Sequence, residues 1–349
     1  MDAHTRYLVI VIVNKSGERV LGPSRVLAGE PEKLLTLLSG YRPLEVVVET
    51  SSSWPWLYEV LTQTGIRFVL AYAKRLRAIA EANYKRDEID AELLARMRLA
   101  GLIPEVYPTP FSQREWATLV RHRATLVAQR TSLANRVHAQ LHQVGLHLQR
   151  GRLLTRTGQK WLRNEAWPKL GTEQRRLIRT HMRLIAHIQP LVRALDRRIT
   201  QVASGVPEAC LLKSIPGIGN YRALLICSEV LPITRFAAPG MLVSFAGLAP
   251  CSNRSGQRPI RHGSIPKAAN RWLRGTLVRA VVTHVQHAPE SPLSQYYATQ
   301  KARVGWQVAR IATARKLARV IHTMLRNSHT WTIQPERGEL LSPHAAQTA

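Results

Sequence analysis

Apolar and polar positions along the chain fall into three regimes. Over residues 1–110, apolar runs of strand length alternate with stretches of helical spacing. The β-branched run 7–13, the segment 19–28, and the runs 45–49 and 68–72 predict strands, bounded as they are by Gly, Pro and polar residues. Stretches 31–40, 55–65 and 87–97 repeat apolar residues every three or four positions and predict helices. Alternation of this kind predicts an α/β layered domain. From 111 to 205 the strand signals stop. Leu119, Leu126, Leu133, Val137, Leu141 and Val144 recur at near-heptad spacing, as do Leu177, Leu184, Ile188, Leu191, Leu195, Ile199 and Val202. Gly151, Gly158 and Gly171 interrupt the pattern between them, so a helical coiled-coil hairpin is predicted, either a dimerisation arm or a two-helix antenna without partners. Residues 206–330 predict a mainly α domain with helices at 270–286 and 301–327, and 331–349 a polar, disordered tail.

Charge divides the chain the same way. Residues 1–110 hold 13 acidic and 14 basic residues, a net of +1; the chain totals of 22 and 50 leave 9 and 36 for the remainder, a net of +27. A surface that basic attracts polyanions, and nucleic acid leads among them; a ribosomal-type scaffold would share this property. Cys210, Cys227 and Cys251 show no paired spacing, which supports neither a zinc site nor a disulfide framework. A reduced, cytoplasmic setting is expected. The apolar run 7–13 is far short of the roughly 20 residues of a spanning helix. No membrane association is expected.

Four carboxylates in the neutral third sit where strands and helices end or begin. Asp2 precedes a strand, Glu49 ends one, and Asp87 and Asp90 share a face in the first turn of a helix. Unit charges about 4 Å apart repel by roughly 4 kcal/mol at an effective dielectric near 20, so convergence would call for a divalent cation. Mg²⁺ (or Mn²⁺) prefers such oxygen donors and serves phosphoryl transfer. The alternative is that Asp87 and Asp90 merely complement the helix dipole beside Lys85 and Arg86.

The segment 247–274 gathers Gly and Pro with cations. Arg254, Arg258, Arg261, Lys267, Arg271 and Arg274, with Asn270 among them, are candidates for holding phosphates. Ser255, followed by Gly256, is a candidate nucleophile that needs activation by Arg, metal or His262; otherwise it donates a hydrogen bond in a phosphate loop. The turn IPGIG (215–219) ahead of an apolar helix suits a helix-hairpin-helix element whose Gly217 and Gly219 face a phosphate, or a plain interhelical turn.

Taken in order, MDAH at the start, Glu49-Thr50 after a strand, KRDEIDAELLA (85–95), SIPGIG, FAGLAPCSNRSG, GSIPKAANRWLR and ARKLARVIHTML (314–325) closely resemble the DEDD transposases of the insertion-sequence family one-ten. The resemblance covers nearly the whole chain. It implies a RuvC-like, ribonuclease H-like N-terminal domain whose tetrad, Asp2, Glu49, Asp87 and Asp90, binds Mg²⁺, a coiled-coil arm, and a C-terminal transposase domain with Ser255 as nucleophile. It further implies guidance by a structured noncoding bridge RNA that pairs with target and donor DNA, a phosphoserine intermediate, and a homo-oligomer, dimer or tetramer. Two positions depart from the family pattern. Its first Asp follows a hydrophobic strand, whereas only Met1 precedes Asp2 here, so that strand is expected to be missing or to start upstream. After the glutamate, Thr50-Ser51 stands in place of a Thr-Gly pair.

Overall fold

The computed structural model describes residues 1–79, 87–149, 151–249, 252–253, 261–262 and 269–332. The chain forms two compact units, Met1–Phe111 and Ser112–Ala349.

The first unit carries β1 (Asp2–Ala3), β2 (Tyr7–Val13), β3 (Arg19–Leu27), α1 (Pro31–Ser39), β4 (Glu45–Glu49), α2 (Trp54–Thr62), β5 (Arg67–Ala71), α3 (Ala73–Ile79), α4 (Asp87–Leu99) and β6 (Glu105–Val106). β1, β2 and β3 pair antiparallel; β4 and β5 pair parallel, with β6 antiparallel on the far edge. The central strands are buried on both faces, which is why they read as continuous apolar runs. Leu8, Ile10 and Ile12 of β2 join Val46 and Val48 of β4 in a core with Leu34, Leu38, Leu57 and Leu61 from α1 and α2. The alternate residues Val9 and Val11 meet Ala91 of α4, and Val47 and Val69 meet Leu94 and Met97. Each fully buried side chain of this kind contributes about 1.5–3 kcal/mol.

Against the expectation that the first strand is missing, Asp2 lies in a strand, the two-residue β1, with Asp2 opposite Val9 and Ala3 opposite Leu8. The Met1 amine donates to Val47 O (3.1 Å) and Ser53 Oγ to His4 O (2.9 Å), so β1 runs beside β4 in the same direction. Among the described residues no further strand lies between β2 and β4. A cavity of about 1140 Å³ opens there, lined by Met1, Ile10, Ile12, Val46, Val47 and Arg98 among others. This gap divides the strands into two three-stranded sheets.

In the second unit, α5 (Phe111–Gln143) and α7 (Thr172–Ser204) run antiparallel, tied by Arg123 to Asp196 (2.9 Å) and Arg130 to Gln189 (2.7 Å). The stretch between them, expected as a simple turn, builds a small core of its own. Short helical turns including α6 (Arg156–Trp161) enclose Leu153, Leu162, Ala166 and Leu170 against Val137, Leu141 and Ile178. Along α7 the buried column is Ile178, Ile185, Val192 and Ile199. Leu177, Leu184 and Leu191, expected in the seam, are 37%, 47% and 54% exposed. Ile199, also expected in the seam, is buried, while these three leucines stand one residue beside the buried column.

α8 (Pro207–Leu212), α9 (Asn220–Val230), α10 (Pro239–Phe245), α11 (Arg271–His287) and α12 (Pro292–Asn327) complete the unit around one core that also takes Val120, Ile199 and Ala203 from the long helices. α12 begins earlier than the expected 301 and breaks at Gly305, whose φ of 79° is not helical. Trp331, expected in the disordered tail, instead donates its backbone N–H to Ser214 Oγ (2.8 Å) and sets its ring 5.6 Å from His284. An aromatic side chain with apolar surface to bury holds this segment to the core. Residues 333–349 lie outside the described residues.

Candidate functional site

In the first unit, strand alternation puts Asp2 and His4 on one side of the chain, and α4 crosses β1 and β2 so that its first turn arrives beside them. His4 Nε2 lies 3.0 Å from Asp2 Oδ2 and 3.2 Å from Asp87 Oδ2. One ligand atom from each of Asp2, His4 and Asp87 falls within 4.8 Å of the others. Tyr7 donates its hydroxyl to Asp87 Oδ2 (2.9 Å), and this bond holds the phenol above its ordinary range. The guanidinium of Arg25 covers the Tyr7 ring at 3.5 Å.

Two of the four expected carboxylates, Asp2 and Asp87, are thus brought together. Asp90 follows one turn along α4, half-buried. Glu49 ends β4, two residues beyond the Val47 carbonyl that accepts from Met1, which sets it near the level of His4. The three-residue cluster itself contains neither. His4 and Tyr7 were not among the expected site residues. The MDAH motif held the signal for His4, since residues two apart in an extended segment face the same way.

The geometry passes one test for a cation. His4 Nε2 is shielded from solvent and has no hydrogen-bond partner, despite its closeness to two carboxylate oxygens. Placed between the two carboxylates, this nitrogen can either donate an N–H to them or turn its lone pair to a cation that they share. The donor set is mixed: carboxylates suit Mg²⁺ or Mn²⁺, while imidazole favours softer transition metals. His4 therefore fits Mn²⁺ or a hydrogen-bonding role better than direct ligation of Mg²⁺.

In the second unit, α8, the IPGIG turn and α9 form the two-helix hairpin that the sequence suggested. Its glycines divide the work. Gly217 has φ +91° and lies against α11, where an added Cβ would stand 2.8 Å from His284 N. Gly219 heads α9 without a side-chain cap, and nothing lies within 4 Å of the place a Cβ would take. His284 is fully buried and latches the turn: its Nδ1–H donates to Pro216 O (2.8 Å), leaving Nε2 to accept from Ser291 Oγ (2.6 Å). Burial holds this imidazole below its ordinary range and keeps it neutral.

Ser255, Arg254, Arg258 and Lys267 lie outside the described residues, and for Arg261 only the backbone is described. What is described is the frame around them. Gly247, at φ +65°, sits so close to Ala269 that an added Cβ would overlap its methyl group, so the loop leaves and returns at one point. Arg315 Nε donates to Leu248 O (3.1 Å) on the outgoing side. On the returning side Asn270 caps α11 by accepting from Leu273 N (3.0 Å), and its amide donates to Glu229 Oε2 (2.7 Å). Asn270, expected to touch nucleic acid, is thereby engaged as a brace. β7 (Ser252–Asn253) pairs antiparallel with β8 (Arg261–His262), the base of a hairpin whose sequence places Ser255 two residues past Asn253. Arg271 is exposed and Arg274 half-buried beside Gly247.

Comparison with known proteins assigns the two units to one lineage. Residues 1–145 match the IS110 DEDD transposase family, and residues 209–298 match the family described as Transposase IS116/IS110/IS902. The chain belongs to the IS110 family of DEDD transposases. This transposase is 25% identical over 289 residues to the transposase for insertion sequence element IS1111A of Coxiella burnetii, covering 82% of the chain and 79% of that relative. It is 25% identical over 291 residues to the transposase for element IS1328 of Yersinia enterocolitica, covering 82% of the chain and 85% of the relative. A pilin gene-inverting protein of Moraxella bovis is 29% identical over 149 residues, 41% of the chain and 46% of that protein. The N-terminal unit of the transposase is the ribonuclease H-like DEDD domain, and the protein is an enzyme of insertion-sequence transposition that acts on DNA. Among the described residues no helix is long and apolar enough to cross a membrane.

Proposed function

We propose that the transposase cuts and rejoins DNA through a transient bond between Ser255 and a DNA phosphate, assisted by a divalent cation that Asp2, Glu49, Asp87 and Asp90 hold. The observation that carries the cation half is the convergence of Asp2, His4 and Asp87. The cation, Mg²⁺ or Mn²⁺, would neutralise charge building on the phosphate oxygens. Tyr7 keeps Asp87 oriented by its hydrogen bond, and Arg25 fixes the Tyr7 ring. For the nucleophile half, support comes from the sequence around Ser255, where Gly256 follows it and Arg254, Arg258 and Arg261 supply cations for a phosphate.

In the step itself the Ser255 Oγ–phosphorus bond forms while the bond to the leaving sugar oxygen breaks. The serine proton passes to a base and the departing oxygen acquires one. Attack by the exchanged strand's hydroxyl reverses these events, so no outside energy is consumed. Guidance by a noncoding bridge RNA that pairs with target and donor DNA belongs to the same reading, as does a homo-oligomer, dimer or tetramer, working in the cytoplasm. The basic remainder of the chain, at +27, suits two nucleic-acid ligands.

Incubating the protein with labelled donor and target DNA and resolving the products on a denaturing gel tests this reading. A protein-linked strand is expected, absent in Ser255→Ala, with Glu49→Ala and Asp87→Ala losing cleavage while retaining DNA affinity. Cleavage by Ser255→Ala at the unaltered rate would replace the serine with water as nucleophile.

A further inference from the structure

The second unit contains a groove of about 1040 Å³ that no catalytic role above uses. One wall is the α5 face bearing Arg123, Thr131, Ser132, Asn135 and Arg136; the other is the start of α9, with Gly219, Tyr221 and Arg222, joined by Arg279 of α11.

Its charge is out of balance. Of its four arginines, Arg123 is paired with Asp196 (2.9 Å) and lies over the Tyr221 ring at 4.7 Å. Among the described residues no carboxylate pairs with Arg136, Arg222 or Arg279. Arg222 is half-buried and gives a hydrogen bond to Gly217 O, and both burial and the neighbouring Arg279 press its guanidinium below its ordinary range. Like charges gathered at a concave surface raise the local potential and draw an anion. The uncapped N–H groups at the start of α9 point to the same end of the groove, with nothing beside Gly219 to obstruct an approach.

The shape narrows the choice. Pockets for single drug-sized ligands run to about 300–1,000 Å³, so this volume takes in about as much of one strand as a few nucleotides. Thr131, Ser132 and Asn135 add hydroxyl and amide groups along one wall. We infer that the groove between α5 and the start of α9 holds the phosphodiester backbone of a single-stranded nucleic-acid segment. The inference rests on the reading of the protein as a nucleic-acid recombinase, and it is independent of whether Ser255 forms a bond to DNA.

Fluorescence anisotropy on the full chain tests it, with labelled oligouridine, oligothymidine and a DNA duplex of roughly 12 residues as probes, within the ~4–16 nucleotides common for single-strand grooves. Each single-strand phosphate contact contributes about 0.7 to the slope of log affinity against log salt. The double variant Arg136→Ala/Arg279→Ala should lower that slope by about 1.4 for single strands and weaken their binding roughly tenfold or more at moderate salt. Lys301→Ala/Arg303→Ala, which removes two exposed charges from α12, should change binding far less. Ser132→Glu, an exposed change on α5, should weaken single-strand binding in the same way if the double variant misfolds. A loss on both oligouridine and oligothymidine identifies the phosphates as what is held; a loss on oligouridine alone identifies a strand read also through its 2′-hydroxyls. A slope unchanged from wild type, a loss no larger than that of the α12 variant, or an equal loss on the duplex overturns the inference. A failed groove leaves the Ser255 gel result untouched, so the two readings can fall separately.

Discussion

Gly217 and Gly219 stand two residues apart in one turn and ask for different things. At Gly217 the φ of +91° lies where a side chain is strained, and a Cβ would press on His284 N at 2.8 Å and Ala280 O at 3.0 Å, both backbone atoms that cannot swing aside. Gly217→Ala should therefore cost at least about 1–3 kcal/mol from the backbone term alone, while Gly219→Ala, with open space around it and only the poorer N-cap preference of Ala against it, should cost about 1 kcal/mol or less. Thermal unfolding of the two variants checks this, and equal midpoints would remove the argument. From the sequence both glycines read alike, because the motif shows that a turn is needed and not which of its glycines has a neighbour. The same holds for the carboxylates. Asp2 and Asp87 were legible as ends of elements, whereas Tyr7 becomes a partner of Asp87 only through a contact 80 residues away in sequence, which no local spacing encodes.

Among the elements, α7 separates period from direction. Ile178, Ile185, Val192 and Ile199 follow one another by sevens, and so do Leu177, Leu184 and Leu191 beside them. Two neighbouring columns of equal period have equal claims until a partner helix lies on one of them. Here that partner is α5, set by the Arg123–Asp196 and Arg130–Gln189 ties. Ile185→Ala should cost about 2–5 kcal/mol and Leu184→Ala no more than about 0.5 kcal/mol, measured as denaturant midpoints. The reverse order would return the seam to the leucines. Strands were easier to place: β2, β3, β4 and β5 begin and end within a residue of the expected runs, for β2, β4 and β5 because burial leaves little polar residue inside them, while β3 is mostly exposed.

For the whole molecule, the balance of charge changes at about residue 110, and the first compact unit ends at Phe111. That balance gave no sign that the arm and the C-terminal helices share a core. Val120, Ile199 and Ala203 join α8 through α12 in one apolar cluster, and periodicity reports that a helix has an inner face without naming what covers it.

The two-residue β1 has a thermodynamic consequence. Asp2 stands opposite Asp87 only while β1 stays paired, and a strand so short opens locally at little expense compared with the whole fold. Any cation bound by the closed form alone then shifts that opening by linkage, about 2.7 kcal/mol at a hundred times its dissociation constant. Assembly of the site and closure of this corner become one equilibrium. The His4 amide, which donates to Tyr7 O (3.0 Å), reports on it. Its hydrogen exchange should slow about a hundredfold in saturating Mn²⁺, and Asp87→Asn should erase most of that protection. Exchange that ignores the metal would mean that the corner is closed by its protein contacts alone.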